Sequence, residues 1–119
     1  MKYILLLYGN EKVWETATKE GAEKMYQQFA AFGEAMRNAG VILGGAELKP
    51  VSTATSVKFS NGKTRTVDGP FAETKETLGG YYLLEVPDLE KAIEWAEKMP
   101  TMVNGTVEIR PLGASSASN

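Results

Sequence analysis

Two short apolar stretches, residues 3–8 and 81–86, constrain the fold more than any other feature of the sequence. Each has the length of a strand and carries apolar side chains at both odd and even positions. Successive side chains of a strand point to opposite faces of its sheet, so both faces of this sheet must be covered. In the first stretch, one face is predicted to hold Ile4 and Leu6, and the other Tyr3, Leu5 and Leu7.

Two amphipathic segments provide helices for one of these faces. Between residues 21 and 39 apolar side chains recur at spacings of three and four, which predicts a helix on a sheet; they are Ala22, Met25, Phe29, Phe32 and Met36. A second helix is predicted after Pro87, with Asp88 as its N-cap and Pro100 as its end. Two helices cover only one face of one sheet. The remaining apolar face therefore predicts a second sheet, and so a homodimer with a cavity between the sheets.

The rest of the chain predicts further strands. Residues 41–48 and 106–110 have the composition of strands, and residues 54–59 and 63–67 flank the dipeptide Asn61-Gly62. Asn-Gly is the strongest short signal for a two-residue hairpin turn. The sequence therefore predicts a hairpin whose second strand leads directly into residue 68.

Residues 68–80 form the one segment whose composition folding alone does not explain. Pro70 fixes its own φ and keeps the preceding glycine out of the α region. We interpret Phe71 as an anchor to the core, and we predict one or two helical turns over residues 72–78, ended by Gly79. The segment also gathers four ionisable side chains: Asp68, Glu73, Lys75 and Glu76.

This segment resembles the signature of the DGPF-domain proteins within the YciI-related family. The matching residues are Asp-Gly-Pro-Phe-Ala-Glu-Thr-Lys-Glu at 68–76 and Leu-Gly-Gly-Tyr at 78–81, with further similarity at residues 1–8, 86–89 and 107–111. The resemblance implies an α+β, ferredoxin-like fold of the βαββαβ type, here with an extra hairpin. Its antiparallel sheet would carry two helices on one face and pair with a second copy as a dimeric α+β barrel.

The resemblance also bears on function. It implies a small cytoplasmic protein, from a superfamily that includes isomerases, monooxygenases and dehydrochlorinases acting on small ring compounds. Fold alone does not determine function. The YciI branch is associated with a His-Asp pair, and this chain has no histidine, so that mechanism does not carry over intact.

The absence of both cysteine and histidine excludes several kinds of site. A disulfide, a catalytic thiol, a Cys or His zinc site, a His-ligated haem and a Ser-His-Asp triad all require one of these residues. A metal would have to be held by carboxylates such as Asp68 and Glu73, and no loop with several carboxylates favours one. We therefore predict neither a metal nor a cofactor.

Length and charge set the remaining expectations. The 119 residues predict one domain over residues 1–113, followed by a flexible tail at residues 114–119. The net charge of −2, with acidic and basic residues mixed, argues against nucleic acid as a partner. Residues 3–8 are too short to span a membrane. Absence of cysteine suits the cytoplasm.

The ionisable side chains of the signature suggest acid–base chemistry. Asp68 and Glu73 provide two carboxylates, one to act as a base and the other as an acid, and Lys75 would hold an anionic substrate or stabilise an oxyanion. The predicted substrate-binding residues are Tyr81, Phe71, Arg65 and Glu47, with Arg110 a weaker candidate for anions. These residues suit a lyase or isomerase of a small molecule.

Two alternatives remain open from the sequence. In the first, the signature is a structural clasp in which Asp68 caps the turn and Glu73 or Glu76 pairs with Lys75; otherwise Glu76 is expected to be solvated. In the second, the protein is a ligand-binding or regulatory module without turnover. Many members of the resembling family are encoded beside sigma factors of the extracytoplasmic-function type, which favours a regulatory setting.

Overall fold

The computed structural model describes residues 1–100 and 105–113, and only the backbone of Trp14. The predicted flexible tail, residues 114–119, lies outside the described residues. These described residues form six strands and three helices besides one short 3₁₀ turn at Val51–Thr53. In chain order they are β1 (Lys2–Gly9), α1 (Lys12–Glu15), α2 (Lys19–Asn38), β2 (Ile42–Glu47), β3 (Thr55–Ser60), β4 (Lys63–Asp68), β5 (Thr77–Glu85), α3 (Leu89–Glu97) and β6 (Thr106–Pro111).

Four of the strands form one antiparallel sheet in the order β2-β5-β1-β6. With α2 and α3 packed on one face of it, this is the ferredoxin-like α+β arrangement that the family resemblance implies. Among the described residues, the other two strands, β3 and β4, pair only with each other. The extra hairpin is therefore a separate small sheet rather than an extension of the main one.

The core lies between the helices and one face of β1. Leu5, Met36 and Leu84 are fully buried there. The predicted alternation along β1 is confirmed, because its odd-numbered side chains are buried and the even-numbered ones only partly so. Phe32 of α2 packs edge-on against Tyr82 and Trp95, with ring centroids 5.6 and 6.2 Å away. These contacts fix both helices on the same side of the sheet.

Local signals set the starts of both long helices. Thr18 caps α2, and its hydroxyl accepts a hydrogen bond from the Gly21 amide at 3.0 Å. Asp88 caps α3 as predicted and accepts from the Lys91 amide at 3.0 Å. Each cap satisfies an amide that the helix itself leaves unpaired.

The predicted hairpin is confirmed at Asn61-Gly62. Both residues have positive φ, 51° and 77°, as a turn that matches the twist of its two strands requires. The register pairs Ser60 with Lys63 beside the turn and Thr55 with Asp68 at the base. Asp68 thus ends the second strand of the hairpin.

The position of the core predicts that replacing leucine by alanine has very different effects on the free energy of unfolding at two sites. Leu84→Ala removes a fully buried side chain and should lower the free energy of unfolding by about 2–5 kcal/mol. Leu89→Ala makes the same change at an exposed position on α3 and should lower it by less than about 1 kcal/mol. Urea denaturation of the two variants measures both values, and equal losses would contradict the placement of the core.

Candidate functional site

The signature segment joins β4 to β5 without a helix. The predicted helical turns over residues 72–78 are wrong, because β5 already begins at Thr77, which pairs with Gly9 of β1. The carbonyl of Gly79 accepts a hydrogen bond from the Leu48 amide at 2.9 Å. A Cβ on Gly80 would lie 3.0 Å from the carbonyl oxygen of Ala46. Gly80 therefore allows close strand approach, and neither glycine ends a helix.

Gly69 fastens the start of the segment to the hairpin. Its amide donates to the carbonyl of Ala54 at 2.7 Å, and its own carbonyl accepts from the Ser56 hydroxyl at 2.8 Å. Its φ of 97° lies in a region that residues with a Cβ rarely adopt. The turn after β4 is thus held by hydrogen bonds to the base of β3.

Phe71 does not anchor the loop to the core. Its side chain is 84% exposed, so that interpretation is wrong. The segment is attached through the backbone of Gly69 and through strand pairing at Thr77, and neither attachment turns Phe71 toward the helices. A phenylalanine this exposed is left without an apolar partner in a single subunit.

The three predicted catalytic side chains, Asp68, Glu73 and Lys75, are all exposed. Within residues 1–100 and 105–113 none of them makes a side-chain hydrogen bond or an ion pair; the two ion pairs in this part of the chain lie along helices, Arg37–Glu34 and Lys91–Glu94. The clasp in which Glu73 or Glu76 pairs with Lys75 is therefore not formed, and Asp68 does not cap its turn. One subunit leaves these charges in water.

Glu76 makes hydrogen bonds to two threonines. Both of its carboxylate oxygens lie 3.2 Å from the Thr106 hydroxyl, and its carbonyl accepts from the hydroxyl of Thr74. Glu76 is half-buried and its bond to Thr106 lies at the exposed surface; the contact arises because the strand order brings the start of β6 beside the loop. Glu76 ties the segment to the main sheet.

The predicted substrate-binding residues do not converge in one subunit. Tyr81 pairs with Leu6 and lies on the face of the main sheet opposite the helices. Glu47 follows Ala46, the partner of Tyr81 on β2, and therefore points to the other face. Arg65 pairs with Lys58 and lies on the opposite face of the hairpin from Asp68.

The side of the main sheet without helices, called the open face here, has an apolar centre and a polar margin. Cross-strand pairing places its apolar side chains together: Ile4, Leu6, Leu83 and the ring of Tyr81. The same register places Glu108 beside Leu6, and Arg110 beside Ile4. The Tyr8 hydroxyl donates to Oε1 of Glu108 at 3.4 Å.

Tyr8 and Glu108 were missed in the sequence reasoning. Strand alternation in Val107-Glu108-Ile109 already places Glu108 on the opposite face from the two apolar side chains. What the sequence did not contain is the register between β1 and β6, which sets Glu108 next to Leu6 and Tyr81 on the far side of it.

The helix side has its own features. Burial raises the pKa of the Tyr82 hydroxyl, with a smaller opposing effect from Arg37 and a smaller reinforcing one from Glu47. This phenol therefore favours folding while neutral, and its contribution is lost as the pH rises above its unfolded pKa of about 10. Two open hollows of about 400 and 390 Å³ also lie here, lined by neither Asp68, Glu73 nor Lys75.

Within residues 1–100 and 105–113, no three carboxylates stand close enough together to hold a metal ion. None of the helices in the same part of the chain combines the length and the apolar character that a membrane crossing requires.

Comparison with known proteins gives a family and a relative. A family model described as the YCII-related domain matches residues 1–114. An uncharacterized protein of Rhizobium meliloti (strain 1021) is 35% identical over 114 residues, which cover 94% of this chain and 92% of that protein. The similarity thus extends over nearly the full length of both chains.

Replacing Gly69 is predicted to destabilise the protein through its backbone conformation and not through a steric clash. A Cβ on Gly69 meets no atom within 4 Å, so Gly69→Ala acts through its φ of 97° and should destabilise the protein by about 1–3 kcal/mol. Gly79→Ala is the control, since its Cβ would make only an ordinary contact of 3.9 Å with the carbonyl oxygen of Leu7. Thermal unfolding of both variants tests this, and equal melting temperatures would contradict it.

Proposed function

The chain belongs to the YCII-related domain family, and from that premise we propose that it is a homodimer with lyase or isomerase activity on a small polar molecule. The ligand would lie between two sheets, with the signature segment at the mouth of the cavity. A cytoplasmic location belongs to the same proposal, because a chain without cysteine suits a reducing compartment.

The observation that carries the proposal is the open face of the sheet. Ile4, Leu6 and Leu83 form its centre, and both long helices pack on the other side. A contiguous apolar face of this kind marks a site of association. Pairing two such faces would bury on the order of 800 Å² per subunit, the size of an ordinary stable interface.

The margin of the open face supports a ligand between the sheets. Tyr81, Glu108 and Arg110 lie around the apolar centre, and Tyr8 is bonded to Glu108. Ligand sites typically combine an apolar lining with a few polar groups that orient the ligand. The signature segment leads directly into β5, the strand that carries Tyr81, so the segment reaches the end of the same face.

The chemistry follows from the carboxylates and the lysine. One carboxylate of Asp68 and Glu73 would remove a proton from a carbon beside a carbonyl, and the electron pair would move onto the carbonyl oxygen. The Lys75 ammonium would stabilise that oxyanion. The second carboxyl group would return a proton at another carbon in an isomerisation, or the electron pair would expel a leaving group in an elimination.

A second candidate function is ligand binding or regulation without turnover. It is favoured by the exposure of all three charged side chains in a single subunit. Acid–base catalysis by two carboxyl groups needs one of them to stay protonated, which usually requires burial. Simple binding of a ligand has no such requirement.

The dimer predicts that a charge on the open face separates the subunits. Leu6→Glu would bury a carboxylate between two apolar faces and should raise the dimer dissociation constant at least a hundredfold. Leu89→Glu makes the same substitution at an exposed position of α3 and should leave the association unchanged. Sedimentation equilibrium measures both constants, with circular dichroism as the check of folding. A monomeric wild-type protein at about 100 µM would refute the proposal.

The catalytic proposal predicts that binding and turnover can be separated. Metabolites found by thermal shift would be tested for conversion by wild type and by Glu73→Gln. The amide keeps the shape but loses the acid–base group, so conversion should fall about 10²–10⁴-fold while the dissociation constant changes much less. Glu97→Gln on α3 is the control. Ligands that wild type binds and never converts would overturn catalysis in favour of the binding module.

A further inference from the structure

The β3–β4 hairpin has two chemically different faces. The cross-strand register places the cations Lys58, Lys63 and Arg65 on one face. The opposite face carries Val57, Phe59 and, from β4, Thr64, Thr66 and Asp68. Such alternation is typical of strands that bury one face and expose the other. The apolar face therefore has the pattern of a packing surface.

In a single subunit this face is left in water. Phe59 is 80% exposed and Val57 is 54% exposed. The hairpin is not joined to the main sheet, and two strands alone are at best marginally stable in water. The Cα radius of gyration is 16.2 Å, whereas a compact chain of this length has about 13.5 Å. The hairpin thus extends the molecule instead of completing its core.

We propose that the hairpin is an arm that packs its Val57–Phe59 face onto a second copy of this chain, together with Phe71 of the signature segment. This inference rests on the proposed homodimer and adds to it the partner surface from which the site is built. Gly69 bonds the segment to the base of the arm, so the start of the segment is held beside the hairpin. Asp68 lies on the packing face, opposite Thr55, and enters the interface with it.

The area that the arm and Phe71 would bury favours a second copy of this chain as the partner. A buried phenylalanine contributes about 150–250 Å², so Phe59 and Phe71 would add about 300–500 Å² per subunit to the sheet pairing. Two-fold symmetry makes the contact twice, and so covers both arms with the same surfaces. On the other face, beside the half-buried Ser56 and Val67, the side chains of Lys58, Lys63 and Arg65 stay in solvent and carry no desolvation cost.

The consequence for the site is that neither subunit holds it alone. Asp68, Glu73 and Lys75 are exposed in one chain, and the arm would bring them against the partner. Burial between subunits supplies the dry environment that a carboxyl group needs to act as an acid. The site would then be completed by assembly.

The test compares two faces of the arm. Phe59→Ser should raise the dimer dissociation constant at least tenfold. The substitution removes one ring from each subunit, and therefore two buried rings from each dimer. Lys58→Ser changes the neighbouring residue on the solvent face and should alter it by less than about twofold. Phe71→Ser, in the loop outside the strands, is a second variant that leaves the hairpin intact and should weaken the dimer in the same way.

Hydrogen exchange gives an independent readout. Amides of β3 and β4 should exchange at least tenfold more slowly in the wild-type dimer than in monomeric Leu6→Glu. The packing of the arm on a second copy would be refuted if Phe59→Ser and Phe71→Ser dimerise like wild type and the hairpin amides exchange equally fast in dimer and monomer. If Leu6→Glu is monomeric in the same experiments, the pairing of the two sheets still stands. Equal, strong protection in the monomer would show that the arm folds onto its own chain. A monomeric wild type would overturn both proposals.

Discussion

The structure depends on β1, a strand whose two faces both need apolar contacts. Its neighbours β5 and β6 pair with its backbone hydrogen-bonding groups, and its side chains point to the two faces of the sheet. One face takes the helices, with Leu5 and Leu84 fully buried against Met36. The other keeps Ile4 and Leu6 half-buried beside Leu83. One subunit therefore completes its core on the helix side of the sheet and leaves the apolar centre of the other side only half-buried.

The same sheet explains a good part of the signature segment. Gly69 has a positive φ that favours glycine, and Gly80 lies too close to a carbonyl of β2 for a larger residue. Glu76 bonds to Thr106 at the start of β6. These residues make the segment a connection between two sheets. Folding leaves Glu73, Lys75 and Phe71 unexplained, since they are exposed and bond to nothing in the described part of one chain. In the proposed function, these side chains are the ones left to act on a ligand or a partner.

Local periodicity was enough to predict much of the fold. The alternation along β1, the stripe of α2, the Asp88 cap and the Asn61-Gly62 turn are all properties of short windows, and all were confirmed. The failures have a common cause. The helical turns over residues 72–78 and the anchoring of Phe71 both depend on which strand lies next to the segment. Strand order and register come from tertiary contacts, which a single sequence does not contain.

The lack of histidine connects the chemistry to assembly. No side chain of this protein has an unperturbed pKa near neutrality. An acid–base reaction at physiological pH therefore requires an environment that raises the pKa of a carboxyl group. Burial is the available means, and a single subunit does not bury Asp68 or Glu73. The open face and the apolar face of the hairpin are the surfaces at which a second chain would provide that burial. In such a design the subunits would have no independent activity, and the interface that completes the fold would also create the conditions for the reaction.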